Sequence, residues 1–241
     1  MSLWEYANPV KFLGVSTRIL PFIAIGAAAC LSIGLVWGFF FTPDDYRQGS
    51  TVKIIYLHVP SALMAINAWF MMLVASLIWL IRRHHVSALA AKAAAPVGVA
   101  MTLIALFTGA IWGQPMWGTY WVWDPRLTAQ LILLFLYLGF MGLRASIDDV
   151  SRADRASAVL ALVGVVNLPI IRYSVEWWNS IHQAPSVMKM DRPSMPFDML
   201  APLLAMLLGF SLYFGAVLLI RLRAEILRRE RNASWIREEL T

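Results

Sequence analysis

The chain has 241 residues, of which 60% are hydrophobic and only 14% charged, whereas a soluble domain carries about a quarter charged residues. Too little polar surface remains to coat a water-soluble globule, so the bilayer is the expected solvent and a single membrane domain the expected organisation. The formal net charge of +6 does not mark a nucleic-acid binder, because the basic residues sit in short clusters between apolar runs, as they do in the cytoplasmic loops of membrane proteins.

In chain order, apolar stretches at residues 19–41, 58–81, 93–113, 128–143, 156–171 and 201–220 predict an all-α integral membrane protein with six transmembrane helices. The fourth and fifth are close to the lower limit of about 17 residues for a span. The first contains the single cysteine, Cys30, which rules out a disulfide framework. Ala27-Ala28-Ala29-Cys30 is faintly like a lipoprotein cleavage box, but the apolar run continues to Phe41. That predicts an uncleaved helix with Cys30 as a packing residue. The tail, residues 221–241, mixes Glu and Arg at helical spacing. It is expected to continue the last helix or to lie along the membrane surface.

Fourteen of the twenty Lys and Arg residues fall in the two termini and the loops after the second and fourth spans. The other six are Arg47, Lys53, Arg126, Arg172, Lys189 and Arg192. The positive-inside rule therefore predicts both termini in the cytoplasm, a parity that six spans satisfy. Three outer segments remain: 42–57, 114–127 and 172–198.

The middle outer segment, with its flanks at 112–126, reads Trp112-Gly113-Gln114-Pro115-Met116-Trp117-Gly118-Thr119-Tyr120-Trp121-Val122-Trp123-Asp124-Pro125-Arg126. Tryptophans at headgroup level normally form a belt, one or two at each of several helix ends. Here they concentrate in one segment, with glycines allowing close backbone approach and prolines fixing its path. Trp117 and Trp121 share a face if the segment is helical, which would offer a flat shelf to a planar apolar ligand. On these residues alone the belt and the shelf weigh equally. Asp124 is suited to cap the fourth helix, with Pro125 at its first position.

The four histidines shift that balance. His84 and His85 follow Arg82 and Arg83 in an inner loop and are expected to be solvated. His58 starts the second span and His182 lies in the third outer segment, so both are expected at the depth of the tryptophans. A lone interfacial histidine is more often a hydrogen-bonding residue than a ligand. Two of them flanking an aromatic shelf fit axial ligation of heme iron, for which neutral imidazole is a standard ligand. Heme also brings two carboxylates, which Arg126, Lys53, Arg172 or Arg47 are placed to pair. For Arg47 and Arg172 a snorkelling interfacial charge is the preferred reading. Met188, Met190 and Met195 are read as packing or surface residues.

No Gly-x-x-x-x-Gly-Lys-Ser/Thr loop is present, so the chain encodes no P-loop ATP hydrolysis. Neither His-Glu-x-x-His nor Gly-x-Ser-x-Gly occurs, and no Cys-x-x-Cys-His offers covalent heme attachment.

The stretch Trp117-Gly118-Thr119-Tyr120-Trp121-Val122-Trp123-Asp124 resembles the tryptophan-rich signature of the membrane heme-handling proteins of cytochrome c maturation. Ile54-Ile55-Tyr56-Leu57-His58-Val59-Pro60 and Val175-Glu176-Trp177-Trp178-Asn179-Ser180-Ile181-His182-Gln183 resemble the histidine regions of one branch, the heme exporter protein C (CcmC) family. The likeness covers nearly the whole chain. It implies a non-covalent, b-type heme with His58 and His182 as axial iron ligands, held at a platform that includes Trp112, Trp117, Gly118, Trp121, Trp123, Asp124 and Arg126. It further implies a bacterial inner-membrane location and delivery of the heme to a periplasmic chaperone, CcmE, on which the covalent bond forms. The ABC transporter subunits CcmA and CcmB and the small membrane protein CcmD are the other implied partners. One departure concerns Lys53, which stands where the family pattern often has arginine. Lysine keeps the charge but loses the planar fork, which leaves Arg126 the better propionate partner.

This reading predicts a chaperone-like protein with no acid–base catalyst of its own, promoting attachment on its partner by proximity and orientation. A transporter subunit moving heme or another small molecule is the alternative, and would need polarity near the midplane beyond Asn67 and Asn167. A scaffold using the tryptophans as an interface predicts no chromophore. A larger cytochrome c synthase would need spans for a second heme that this chain lacks.

Overall fold

In the computed structural model, residues 8–183, 187 and 192–233 are described. Met188, Met190, Lys189 and Arg237 lie outside them. Seven helices make up the described chain: α1 Pro9–Val36, α2 Ile55–Arg82, α3 His85–Trp117, α4 Pro125–Ala145, α5 Val150–Gly164, α6 Asn167–Trp177 and α7 Phe197–Arg229. No β-strand occurs among these residues, apart from one isolated bridge between Asp45 and Gly49. With α5 and α6 counted as one broken span, six helical segments are long and apolar enough to cross a membrane.

The helices outrun the apolar stretches because local capping, rather than the first charge, decides where each one stops. Asn8 accepts from the backbone N–H of Val10 at 3.0 Å, Pro9 takes the first helical position, and α1 therefore carries Lys11 and Arg18 within it. At its other end α1 runs into a π-turn, Trp37–Phe41, where Gly38 lies against the Tyr56 ring. Arg83, at φ 56°, closes α2 in the left-handed conformation and turns the chain back into α3. The 33 residues of α7 span about 50 Å at 1.5 Å per residue. Since the hydrocarbon core is about 30 Å thick, this last helix continues well beyond it, as far as Arg229. The fifth span is not continuous. It breaks at Val165 and Val166, and the Asn167 side chain just beyond donates to the Ala129 carbonyl at 2.9 Å, fixing α6 to α4.

The core lies where α2 meets α3, α4 and α5. Ala65, Ala68, Ala91, Ala94 and Ala95 are fully or almost fully buried, and small residues of this kind let helix backbones approach closely in lipid. Into the space they leave go two aromatics. Trp69 lies on Gly164 and Tyr137 on Gly98, their rings edge to face at 4.9 Å. Both polar ends are satisfied. Trp69 Nε1 donates to the Ala161 carbonyl at 3.2 Å and the Tyr137 hydroxyl to the Ala65 carbonyl at 2.7 Å. The outer circumference is apolar instead of polar: Phe22, Phe40 and Phe107 are all about 70% exposed or more, as expected where lipid is the solvent.

One end of the bundle is tied by ions. Arg144 pairs with the buried Asp154 at 2.5 Å, Lys92 with Glu225 at 2.7 Å, and Arg223 donates to Ser16 at 2.8 Å. These contacts tie α4 to α5 and both α1 and α3 to α7, and Arg229, 3.7 Å from Asp154, joins the two groups. The opposite end gathers the three outer segments.

Candidate functional site

Two histidine environments, built differently, occupy that second end. His58 is in the first turn of α2. Its Nδ1 lies 3.1 Å from Thr108 Oγ1 on α3, and that hydroxyl already donates to the Ile104 carbonyl at 2.6 Å. A hydroxyl has one hydrogen, so Thr108 accepts from His58. The proton therefore belongs on Nδ1, and the Nε2 lone pair is left available, the arrangement usual for metal-ligating histidines. Packing holds the ring in place: Gly109 lies beside it, a Cβ there standing 2.9 Å from His58 Cε1. Trp112, one turn further along α3, meets it edge-on at 5.6 Å. Trp112 is in turn anchored by donation to Gln48 Oε1 at 2.8 Å, which ties in the first outer segment.

His182 is held by Asp124. This carboxylate is 6% exposed and serves two tasks. Oδ1 accepts from the Arg126 backbone N–H at 2.9 Å, capping α4. Oδ2 accepts from the Ser180 hydroxyl at 2.6 Å and from the Ile181 backbone N–H at 3.1 Å. Ser180 Oγ then accepts from the backbone N–H of His182 at 3.1 Å. One acid thus starts a helix and fixes the third outer segment against it. Trp117 flanks the His182 ring at 6.2 Å.

Arg126 joins the group. Its Nη1 donates to His182 Nδ1 at 3.2 Å and its Nη2 to the Arg172 carbonyl at 3.3 Å. Among the described residues its buried Nε has no hydrogen-bond partner, and no carboxylate forms an ion pair with it. Arg126 and His182 are both within electrostatic range of His58. Burial, reinforced by the Arg126 charge, holds the His182 imidazole below its ordinary value. Both effects favour the neutral ring, the form in which imidazole binds metals.

Such a set suits a flat dicarboxylate that carries a metal. It combines two imidazoles, aromatic rings beside both of them, and a buried guanidinium with a donor to spare. Of the residues expected to form the platform, Trp112 goes with His58, while Trp117, Asp124 and Arg126 go with His182. Trp121 and Trp123 form their own edge-to-face pair at 5.6 Å, and Trp123 is 75% exposed. The condition for Trp117 and Trp121 to share a face, a helix through both, is not met. Residues 112–117 are the last turns of α3, and Gly118, at φ 76°, ends the helix, so the chain from there to Asp124 is not helical. Beside Trp123 and Trp178 a groove of about 340 Å³ runs between α4 and α6. Lys53 is paired with Asp44 at 3.1 Å. Arg47 stacks over Tyr46 and Arg172 over Tyr173. Met195 packs against the core.

Reading the sequence missed Thr108, Gly109, Gln48 and Ser180. The one available signal is that Thr108 stands four residues before Trp112, on the same helical face.

A family model described as Heme exporter protein C (CcmC) matches residues 2–237. Proteins named Heme exporter protein C are similar over nearly the whole chain. That of Paracoccus denitrificans is 60% identical over 239 residues, covering 99% of each chain. The Rhodobacter capsulatus protein is 54% identical over 242 residues, covering 100% of each. The Escherichia coli K12 protein is 44% identical over 237 residues, covering 98% of this chain and 96% of its own.

Proposed function

The chain belongs to the heme exporter protein C family, and we propose that it binds heme between His58 and His182 at the periplasmic face and delivers it to a heme chaperone. Membership gives it a heme-handling role in the Ccm system. Its six membrane-crossing segments and bacterial relatives make it a multi-pass protein of the bacterial inner membrane.

The observation that carries the reading is the state of the two imidazoles. His58 is fixed by Thr108 with Nε2 free, and His182 stands against a buried arginine with an unused donor. In this reading His58 and His182 ligate the iron of a non-covalent, b-type heme, and Arg126 takes a propionate through a charge-assisted fork. Trp112 and Trp117 enclose the macrocycle. The exposed Trp123, Trp177 and Trp178 form the surface that meets the chaperone, CcmE. The covalent bond forms on that partner; this chain supplies orientation. With no P-loop in the sequence, ATP hydrolysis falls to the partners CcmA and CcmB, with CcmD as a further small subunit. Both termini lie in the cytoplasm.

The two asparagines that a transport path would draw on are placed elsewhere. Asn67 faces outward and Asn167 is committed to the Ala129 carbonyl.

The test is to co-express the chain with the chaperone without CcmA and CcmB, denature the membranes, and measure heme retained on the chaperone. The reading predicts retained heme with wild type and little with His182→Ala. Equal loading with and without this protein would contradict it.

A further inference from the structure

The Nδ1 atom of His182 has two neighbours that require opposite hydrogen positions. Arg126 Nη1, at 3.2 Å, can only donate, because a guanidinium carries no acceptor. Toward Arg126, therefore, Nδ1 accepts, and the proton of the neutral ring is on Nε2. The Gln183 carbonyl, at 3.1 Å, can only accept. Toward Gln183, Nδ1 donates, and the Nε2 lone pair is free. One ring cannot satisfy both, so the Arg126 contact and iron ligation through Nε2 exclude each other. His58 has no such conflict, since Thr108, its side-chain partner at Nδ1 among the described residues, is an acceptor.

We propose that Arg126 withholds His182 from iron until a cargo carboxylate draws the guanidinium away, so that the site ligates with both histidines only a porphyrin bearing a free propionate. This rests on the heme-binding reading above and adds a requirement to it. As Arg126 turns to the carboxylate, the ring exchanges its proton from Nε2 to Nδ1 through solvent, with no net gain or loss. Nδ1–H then donates to the Gln183 carbonyl, and Nε2 gives its lone pair to the metal. The Arg126 Nε, which has no hydrogen-bond partner among the described residues, supplies a second donor for the incoming carboxylate. Arg126 is thus a positioning and specificity-determining residue that acts through His182. The order of assembly follows: His58 ligates first and His182 second.

The experiment compares ferric heme with its dimethyl ester on purified wild-type protein, reading spin state by electron paramagnetic resonance and resonance Raman. Free heme is expected to give the low-spin signal of two histidine ligands. The ester is expected to bind through His58 alone, with the low-spin signal lost and a high-spin signal in its place. In Arg126→Leu the ester is expected to recover the low-spin form. A low-spin ester complex in wild type would overturn the proposal while leaving heme binding intact. Failure of free heme to bind at all would overturn the heme-binding reading, and the proposal with it. Should Arg126→Leu fail to fold, the wild-type comparison decides alone.

Discussion

His58 Nδ1 stands 3.1 Å from Thr108 Oγ1, and the Thr108 hydroxyl gives its hydrogen to the Ile104 carbonyl one turn back along α3. A residue without obvious chemistry thereby sets which nitrogen of a candidate iron ligand is free. Removing the hydroxyl with little change of shape tests this directly. Thr108→Val is expected to weaken heme binding about 10- to 100-fold, the usual consequence of losing an outer partner of a ligating histidine. Heme titration of the detergent-solubilised variant measures it, and an unchanged affinity would remove Thr108 from the site.

Glycines at two depths separate site effects from packing effects. A Cβ on Gly109 meets the His58 ring at 2.9 Å, so Gly109→Ala is expected to displace the imidazole and reduce heme affinity with little change in thermal stability. Gly98 lies in the core, directly against the Tyr137 ring. Gly98→Ala is expected to cost about 1–3 kcal/mol by overpacking, seen as a lower melting temperature.

Asp124 links the start of α4 to Ser180 and Ile181. Asp124→Asn keeps a capping oxygen for Arg126 but turns the other position into a donor, which cannot accept from the Ile181 N–H. The expected outcome is a release of His182 with His58 retained. In the ferric heme complex this reads as loss of the low-spin signal. A variant indistinguishable from wild type would mean that the third outer segment is held by other contacts.

At the opposite end, Asp154 is almost fully buried and pairs with Arg144. Removal of one member of a buried pair costs about 3–5 kcal/mol where nothing else compensates the charge left behind, and here Arg229, 3.7 Å from Asp154, remains as a second, longer-range partner. Arg144→Ala is therefore expected to lower the melting temperature markedly and to leave the spectrum of bound heme unchanged.

Much of this architecture is legible in the sequence, and the gaps have physical causes. Apolar runs locate the spans because lipid requires them, but their ends depend on caps such as Asn8 and Asp149, which carry α1 and α5 into charged sequence. The break at Val165 and Val166 is flanked by Gly164 on one side and by Asn167 and Pro169 on the other, residues that punctuate helices, but the apolar run continues across them and reads as one span. His58, His182, Arg126 and the tryptophans stand out as unusual residues at one membrane depth. Thr108 and Ser180 do not, because their roles exist only once α2 packs on α3 and the third outer segment reaches Asp124. The helical phase of 112–121 is likewise decided by Gly118, whose left-handed turn separates Trp117 from Trp121.

The orientation drawn from charge has its own check. Tyr46 and Arg231 are exposed at opposite ends of the bundle. In a Cys30→Ala background, Tyr46→Cys is expected to react with a membrane-impermeant maleimide in intact cells, and Arg231→Cys only after lysis.

The central claim is that His58 and His182 together hold heme iron. Its most direct test is the visible absorption spectrum of the purified protein, wild type beside His58→Ala and His182→Ala. The account predicts a Soret band in wild type that weakens or shifts in each variant. A wild-type protein with no heme, even when co-expressed with the chaperone, or a band identical in all three proteins, would contradict it.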